Sequence, residues 1–409
     1  MPHQLAGPPS LLRQHPRLFA LFPISPLNPS HIHTSHLFLT MEKICARSSV
    51  SLLFNRSSQT KRSHLLLPFV SLPFSRASHR TISTSNRSCV TMSVRSDAVV
   101  NTHDPPKGSE TFFRTVISNM EKVYLNRNPT AKGILDLVQS HDGDNICYDH
   151  FAFRTFGVDG YGINSLAEFF MDFGYTPREE LRFPAKKLKA LWFSPPNDSS
   201  SNNNGTGING PLPRVFISEL IVDQLSSESQ EVIRKYIKTS GIGKKYASLA
   251  SMCGGLTWEK PSFSDYQVLS RESEYAAWTL VNGYALNHVT ISAHRLKSEI
   301  RKIQTLNKFI EDSGFKLNSE GGILKVSPDG LLQQSSTVAD SISFTFADGK
   351  TDIVPCCYIE FAERLKLPQF KDLPDKEVKE FHRRDGFEVG NADKIFESTS
   401  KDQLTRNVA

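Results

Sequence analysis

Asp149-His150-Phe151-Ala152-Phe153-Arg154 and Asn287-His288-Val289-Thr290-Ile291 each set a histidine at the head of an alternating aromatic or β-branched run. Such runs read as strands, on which successive side chains face opposite ways. His150, Ala152 and Arg154 then share one face and Phe151 and Phe153 the other, with roughly 13 Å of strand between imidazole and guanidinium. A third run, Cys357-Tyr358-Ile359-Glu360-Phe361, groups Glu360 with Cys356 and Tyr358 while Ile359 and Phe361 face away. A carboxylate between two large apolar residues is costly to bury unless it is paired, protonated or metal-bound. Two histidines and one carboxylate are the ligand set of a mononuclear iron enzyme.

Blander readings stand beside this one. A strand histidine is commonly a hydrogen-bonded structural residue, Glu360 alone reads as the partner of an arginine, and Arg154 as half of a structural ion pair. Their joint occurrence at matching places of a repeated pattern favours a site.

The repeat emerges from periodicity. Residues 109–126 and 130–139 read as helices. From Cys147 the order is strand (147–156), helix (164–173), strand (187–194) and strand (214–222). A helical connector over about 226–283 carries Val232, Ile233, Tyr236 and Ile237 as its apolar stripe. The order then returns as strand 284–292, helix 296–312 and strands near 322–327, 331–338, 341–346 and 353–361. The expected fold is α+β: two βαβββ-type modules, about 147–222 and 284–362, forming a cupped mixed sheet with additional helices, inside one catalytic domain over 109–400 whose C-terminal segment is 363–400. Residues 197–211, dominated by Asn, Ser and Gly, read as a mobile insertion.

The formal charge of +6 misleads. Residues 1–96 contain eleven Lys and Arg against one acid, Glu42; setting these aside from totals of 48 and 42 leaves 37 basic and 41 acidic residues. The remainder is mildly acidic, which argues against nucleic-acid binding. The N-terminal stretch is rich in Ser, Arg, Pro and His and has no apolar run long enough to span a bilayer. It reads as a transit peptide, with the plastid favoured over the mitochondrion and Met41 offering a second start. Of six cysteines, Cys45 and Cys89 fall in this leader; the pair Cys356-Cys357, read as strand neighbours facing opposite ways, suggests no disulfide. Gly254-Gly255, Gly321-Gly322 and Gly241-Ile-Gly-Lys-Lys lack the strand-turn-helix context of a phosphate loop. His294 reads as a helix-entry residue, and His382-Arg383-Arg384-Asp385 as a wetted charged face.

Together, Tyr148-Asp149-His150-Phe151-Ala152-Phe153-Arg154-Thr155, Leu286-Asn287-His288-Val289-Thr290 and Tyr358-Ile359-Glu360-Phe361-Ala362-Glu363-Arg364 resemble the three ligand-bearing motifs of the 2-oxoadipate dioxygenase/decarboxylase family. The resemblance covers roughly residues 110–400. It implies a vicinal-oxygen-chelate-like fold, Fe(II) held by His150, His288 and Glu360, and Arg154 gripping the substrate carboxylate. It further implies a substrate contact near Val389 or Gly390, because Phe387-Glu388-Val389-Gly390-Asn391-Ala392 is similar to a substrate-contacting family segment. The implied reaction converts 2-oxoadipate and O2 to (R)-2-hydroxyglutarate and CO2 in lysine degradation, and plant members are plastid-targeted.

The chemistry is coherent on its own terms. Three protein ligands on one face of a six-coordinate iron leave room for a bidentate 2-oxo acid and dioxygen, and a guanidinium holds a distal carboxylate in a two-point fork. Two alternatives remain open at this stage. The same ligands could hold Zn(II) or Ni(II) in a glyoxalase-like lyase or isomerase, or the chain could be a non-catalytic small-molecule carrier. Oxygen consumption separates them. Nothing in the pattern sets an oligomeric state.

Overall fold

The computed structural model describes residues 107–196 and 205–405. The leader expected over 1–96 and residues 197–204 of the expected insertion lie outside the described residues. The rest of that insertion is tied down: Gly207 N–H donates to Ile146 C=O at 2.7 Å, and Arg114 Nη1 donates to the carbonyls of Ile208 and Gly210.

Helices α1 (Lys107–Arg127) and α2 (Pro129–Asp142) come first, the second capped by Asn128, whose side chain accepts from Ala131 N–H, with Pro129 at the first helical position. Module one follows as β1 (Tyr148–Phe156), α3 (Asn164–Asp172), β2 (Thr176–Phe183), β3 (Leu188–Ser194) and β4 (Arg214–Leu220). The connector contains α4 (Ser227–Ser240), α5 (Ala247–Cys253), α6 (Phe263–Glu272) and α7 (Glu274–Asn282). Module two is β5 (His288–Ser292), α8 (Ile303–Asp312), β6 (Lys325–Val326), β7 (Leu332–Ser336), β8 (Ser341–Thr345), β9 (Thr351–Pro355) and β10 (Tyr358–Arg364). Helix α9 (Val389–Ile395) belongs to the C-terminal segment.

Eight strands form one mixed, curled sheet in the order β2-β3-β4-β1-β5-β10-β7-β6. Its centre is the antiparallel pair β1/β5, where Phe151 stands opposite Val289. On either side a strand joins in parallel, β4 to β1 and β10 to β5, and two antiparallel strands complete each half. A local twofold axis through the Phe151/Val289 pair therefore relates the modules, equating His150 with His288 and the β4 register with that of β10. The expected α+β fold of two βαβββ-type modules is what the chain forms.

One layer of the sheet is apolar throughout. Phe151, Phe153, Val215, Ile217, Val289, Ile291, Ile359 and Phe361 are all buried, and Phe153 meets Phe170 of α3 at 5.7 Å between ring centroids. The opposite, concave face carries the polar residues of the same strands.

Four details depart from the expectations. Strand β2 was not foreseen: Thr176–Phe183 has mostly exposed positions because it is a sheet edge, and edge strands carry little apolar signal. The segments near 341–346 and 351–355 pair with each other as a separate hairpin and leave the main sheet. Helix α8 begins at Ile303, seven residues late, because the Glu363 carboxylate on β10 accepts Ile303 N–H at 2.9 Å and acts as a cap from sixty residues away. Cys356 and Cys357 occupy the break between β9 and β10, where side chains do not alternate, so their sulfurs lie 3.4 Å apart as free thiols.

Phe151→Ala should lower stability by about 3 to 5 kcal/mol, the usual cost of emptying a fully buried phenyl site. Urea unfolding measures it. Because the ring lies on the layer away from the ligands, the folded fraction should keep its metal affinity.

Candidate metal centre

The register of three central strands brings the ligand atoms together. His150 and Glu360 flank Thr290 from the two neighbouring strands, and His288 sits two residues before Thr290 on β5. His150 Nε2 lies 3.3 Å from His288 Nε2 and 3.6 Å from Glu360 Oε2, and His288 Nε2 lies 3.1 Å from Glu360 Oε2. All three residues are buried. Ligand atoms about 2.1 Å from one ion and at right angles stand about 3 Å apart. These separations therefore fit one ion bound on a single face. The twofold axis equates Glu360 with Phe216 of β4, so module one supplies one donor where module two supplies two. That leaves the remaining coordination positions to small molecules.

The imidazoles are aimed by their neighbours. The ladder between β1 and β5 shifts register between Tyr148 and His150, a bulge that turns Asp149 toward its own neighbour. His150 Nδ1–H donates to Asp149 Oδ1 at 2.8 Å, and His288 Nδ1–H donates to Asn287 Oδ1 at 3.0 Å. Each bond fixes the tautomer and directs Nε2 to the shared point. On the third ligand, Glu360 Oε1 accepts from Gln334 Nε2 at 2.6 Å, and Gln334 Oε1 accepts from Asn391 Nδ2 at 3.0 Å.

Asp149 is held in turn by Arg364, whose Nε and Nη2 donate to its two oxygens at 2.6 and 2.9 Å, with Arg214 Nη1 at 3.5 Å. Burial alone would raise the Asp149 pKa; the two guanidinium groups overcome it and hold the carboxylate well below its usual range. Burial likewise opposes the Glu360 carboxylate, but the two histidines bring it down to about 2. Burial pushes His288 down to about 4. His150 goes the other way: burial opposes its charge, and Glu360 with Asp149 outweighs that and raises it. A neutral imidazole and an ionised carboxylate are the forms that bind a cation.

Arg154 lies on the same face, 2% exposed. Its Nη1 donates to Thr399 Oγ1 at 3.1 Å and its Nη2 to Phe396 C=O at 3.4 Å, while the guanidinium stands 5.0 Å from the rings of both Tyr275 and Trp278. No carboxylate among the described residues pairs with it, and its Nε has no partner. Burial lowers its pKa, yet an arginine stays charged. A buried cation with no carboxylate in contact among the described residues can receive an anion. It forms part of the wall of a cleft that carries charges of both signs, Lys186 and Lys187 with Glu272, Glu274 and Glu397.

The backbone contact to substrate expected near Val389 or Gly390 falls at the start of helix α9. Both residues are exposed. Their neighbours reach inward: Phe387 sets its ring 4.8 Å from His150, and Asn391 holds Gln334. His294 is no ligand; it lies in a 3-10 turn, 3.3 Å from Glu380, and accepts Arg364 N–H. The charged run 382–385, expected to be a wetted face, is partly a clasp, since Arg383 donates to Arg364 C=O and Asp385 pairs with Arg214 at 2.7 Å. Sequence reading missed the roles of Asp149, Arg364 and Gln334. Asp149 and Arg364 sit inside the quoted motifs, and a charged residue in an otherwise apolar strand was the available signal.

Asp149→Asn should weaken metal binding about 10- to 100-fold, measured by chelator competition; unchanged affinity would mean that the aspartate does not orient His150. A second expectation concerns acid. In the ion-free protein an unfolded chain protonates His288 near 6.5, whereas the folded imidazole resists until about 4. This contribution to stability is present above 6.5 and is lost as pH falls toward 4, a window in which His150 is protonated in both states. Urea midpoints of chelator-treated protein should drop across that window, and His288→Gln should flatten the drop.

Comparison with known proteins agrees with this geometry. A family model described as 2-oxoadipate dioxygenase/decarboxylase matches residues 116–378. A rice protein (Oryza sativa subsp. japonica) named 2-oxoadipate dioxygenase/decarboxylase, chloroplastic/amyloplastic, is 71% identical over 345 residues, which is 84% of this chain and 94% of the relative. The crystal structure of rice hydroxyglutarate synthase in complex with 2-oxoadipate is 78% identical with a TM-score of 0.73, covering 74% of this chain and 96% of that one. A Ralstonia eutropha protein assigned to the glyoxalase superfamily, 19% identical with a TM-score of 0.50 over 68% of this chain and 86% of its own, shares the fold alone. With its ligand-bearing strands inside the matched span, this chain belongs to the 2-oxoadipate dioxygenase/decarboxylase family.

Proposed function

We propose that this chain binds Fe(II) through His150, His288 and Glu360 and converts 2-oxoadipate and O2 to (R)-2-hydroxyglutarate and CO2, as a step of lysine degradation in the plastid stroma. The observation that carries the reading is the presence, on one concave face, of a three-donor cluster and a buried guanidinium that forms no ion pair with a carboxylate among the described residues. The rice relatives, named for 2-oxoadipate and for the plastid, support the substrate and the compartment. The serine- and arginine-rich leader supports the compartment as well.

The atoms balance. Loss of the 1-carboxylate as CO2 leaves a five-carbon acid, and both atoms of O2 enter it, one completing the new carboxylate at the former 2-oxo carbon and one forming the hydroxyl beside it. Bound Fe(II) would supply the positions that chelate a 2-oxo acid and the redox chemistry that activates O2. The chain's own residues do the rest. Asp149 and Asn287 hold the imidazoles, Gln334 keeps one oxygen of Glu360 turned toward the cluster, and Arg154 receives the distal carboxylate in a two-point fork. Phe216, Phe387 and Trp192 pack ring to ring at 4.9 and 5.6 Å beside His150 and exclude water from that side.

Leader-free protein with Fe(II), 2-oxoadipate and O2 should release CO2 and 2-hydroxyglutarate in equal amounts. His150→Ala, His288→Ala and Glu360→Ala should each abolish turnover and metal retention. Arg154→Ala should keep its metal and lose about 2 to 5 kcal/mol of substrate binding. Equal metal loss in all four variants would remove Arg154 from the role given to it, and absence of CO2 from the parent protein would remove the reading altogether.

A further inference from the structure

Nine buried side-chain polar atoms among the described residues lack a hydrogen-bond partner, and three of them, Asn287 Nδ2, Arg154 Nε and the Tyr358 hydroxyl, belong to residues on or adjoining the strands of the cluster. Native proteins leave few such groups unsatisfied, so an orphan donor there calls for an acceptor that the described residues do not provide. Of the three, the tyrosine has no role in the mechanism above.

Tyr358 opens β10 directly opposite His288, two residues before Glu360 and on the same face. It is fully buried. Its ring stacks on the His288 imidazole, 4.6 Å between centroids and 28° from parallel. Its backbone is firmly placed, with the carbonyl accepting from Tyr124 Oη at 2.6 Å and the N–H donating to Asn287 C=O at 3.3 Å. The orphan hydroxyl therefore does not come from a loose strand. The phenol lies beside the Arg154 guanidinium, and a tyrosine hydroxyl carries a proton that it can donate toward an anion placed there. The ring spans the distance between a metal ligand and the cation that faces the far end of the substrate.

We infer that Tyr358 is a second anchor for the distal carboxylate of a 2-oxo dicarboxylic acid, its hydroxyl donating beside Arg154, so that the two side chains together read both the charge and the length of the substrate. This rests on the reading that such an acid binds at the centre. The aromatic ring and the hydroxyl have separate duties: the ring supports His288, and the hydroxyl meets the substrate. Tyr358→Phe removes the second and keeps the first.

The test compares 2-oxoadipate with 2-oxohexanoate, which has the same carbon count and no distal carboxylate. Binding is measured by anaerobic calorimetry on metal-loaded protein and turnover by CO2 release. In Tyr358→Phe, Kd and KM for 2-oxoadipate should rise about 10-fold or more, the worth of one hydrogen bond to a charged group, with kcat and metal content close to those of the parent. Both constants for 2-oxohexanoate should stay where they were. An equal change for the two acids, or none for 2-oxoadipate, overturns the assignment while leaving the proposed function standing. A parent protein that binds neither acid overturns both.

Discussion

The buried contact between Asp149 and Arg364 underlies the centre. Arg364 ends β10, the strand that carries Glu360, and Asp149 adjoins His150 on β1, so one ion pair locks two ligand-bearing strands that are not themselves neighbours. Two charges out of water are expensive unless every lone pair and proton is used. Here most of them are: Asp149 also accepts from His150 Nδ1–H and leans on Arg214, and Arg364 directs Nη1 at the carbonyls of Arg384 and Gly386. Those carbonyls belong to the segment that delivers Phe387 to His150. The same pair thus orients a ligand, fixes the strand of another and pins the aromatic wall above both.

Around that lock the sheet is nearly symmetric, and its chemistry lies in where symmetry fails. The axis through Phe151 and Val289 equates His150 with His288, which gives two matched imidazoles at the middle of the sheet. It equates Glu360 with Phe216 and Arg154 with Ser292. One module therefore gives the carboxylate of the cluster and the other a buried guanidinium on the same face. A repeated unit has become two half-sites with different duties, and a substrate charged at both ends is what such a division suits.

The three converging side chains were legible because each sits in a local pattern strong enough to announce a strand, and face alternation put Arg154 on the face of His150. Strict alternation failed at Asp149, since a bulge is set by pairing with β5 and leaves no mark on the strand's own sequence. Strand β2 was hidden for a related reason: with few buried positions it has no period to read. The start of α8 depends on Glu363 from a distant strand, and Gln334 gains its meaning only through Glu360 across the ladder. Val389 and Gly390 were named by likeness for a backbone contact, and the segment's local pattern did not foretell that Phe387 would meet His150 or that Asn391 would hold Gln334. Local periodicity encodes faces; it does not encode partners.

Charge accounting connects the centre to the kind of molecule it accepts. A divalent ion with one carboxylate ligand and two neutral imidazoles would carry one net positive charge, and Arg154 adds a second with no carboxylate in contact among the described residues. Asp149 and Arg364 cancel each other and contribute nothing. An enclosed pair of positive charges is unfavourable when empty, because burial penalises each and they repel. A 2-oxo dicarboxylate brings two negative charges at the two ends where those cations stand. A monocarboxylate would neutralise the ion and leave the guanidinium desolvated and alone, so discrimination arises from the cost of the wrong ligand as much as from the fit of the right one.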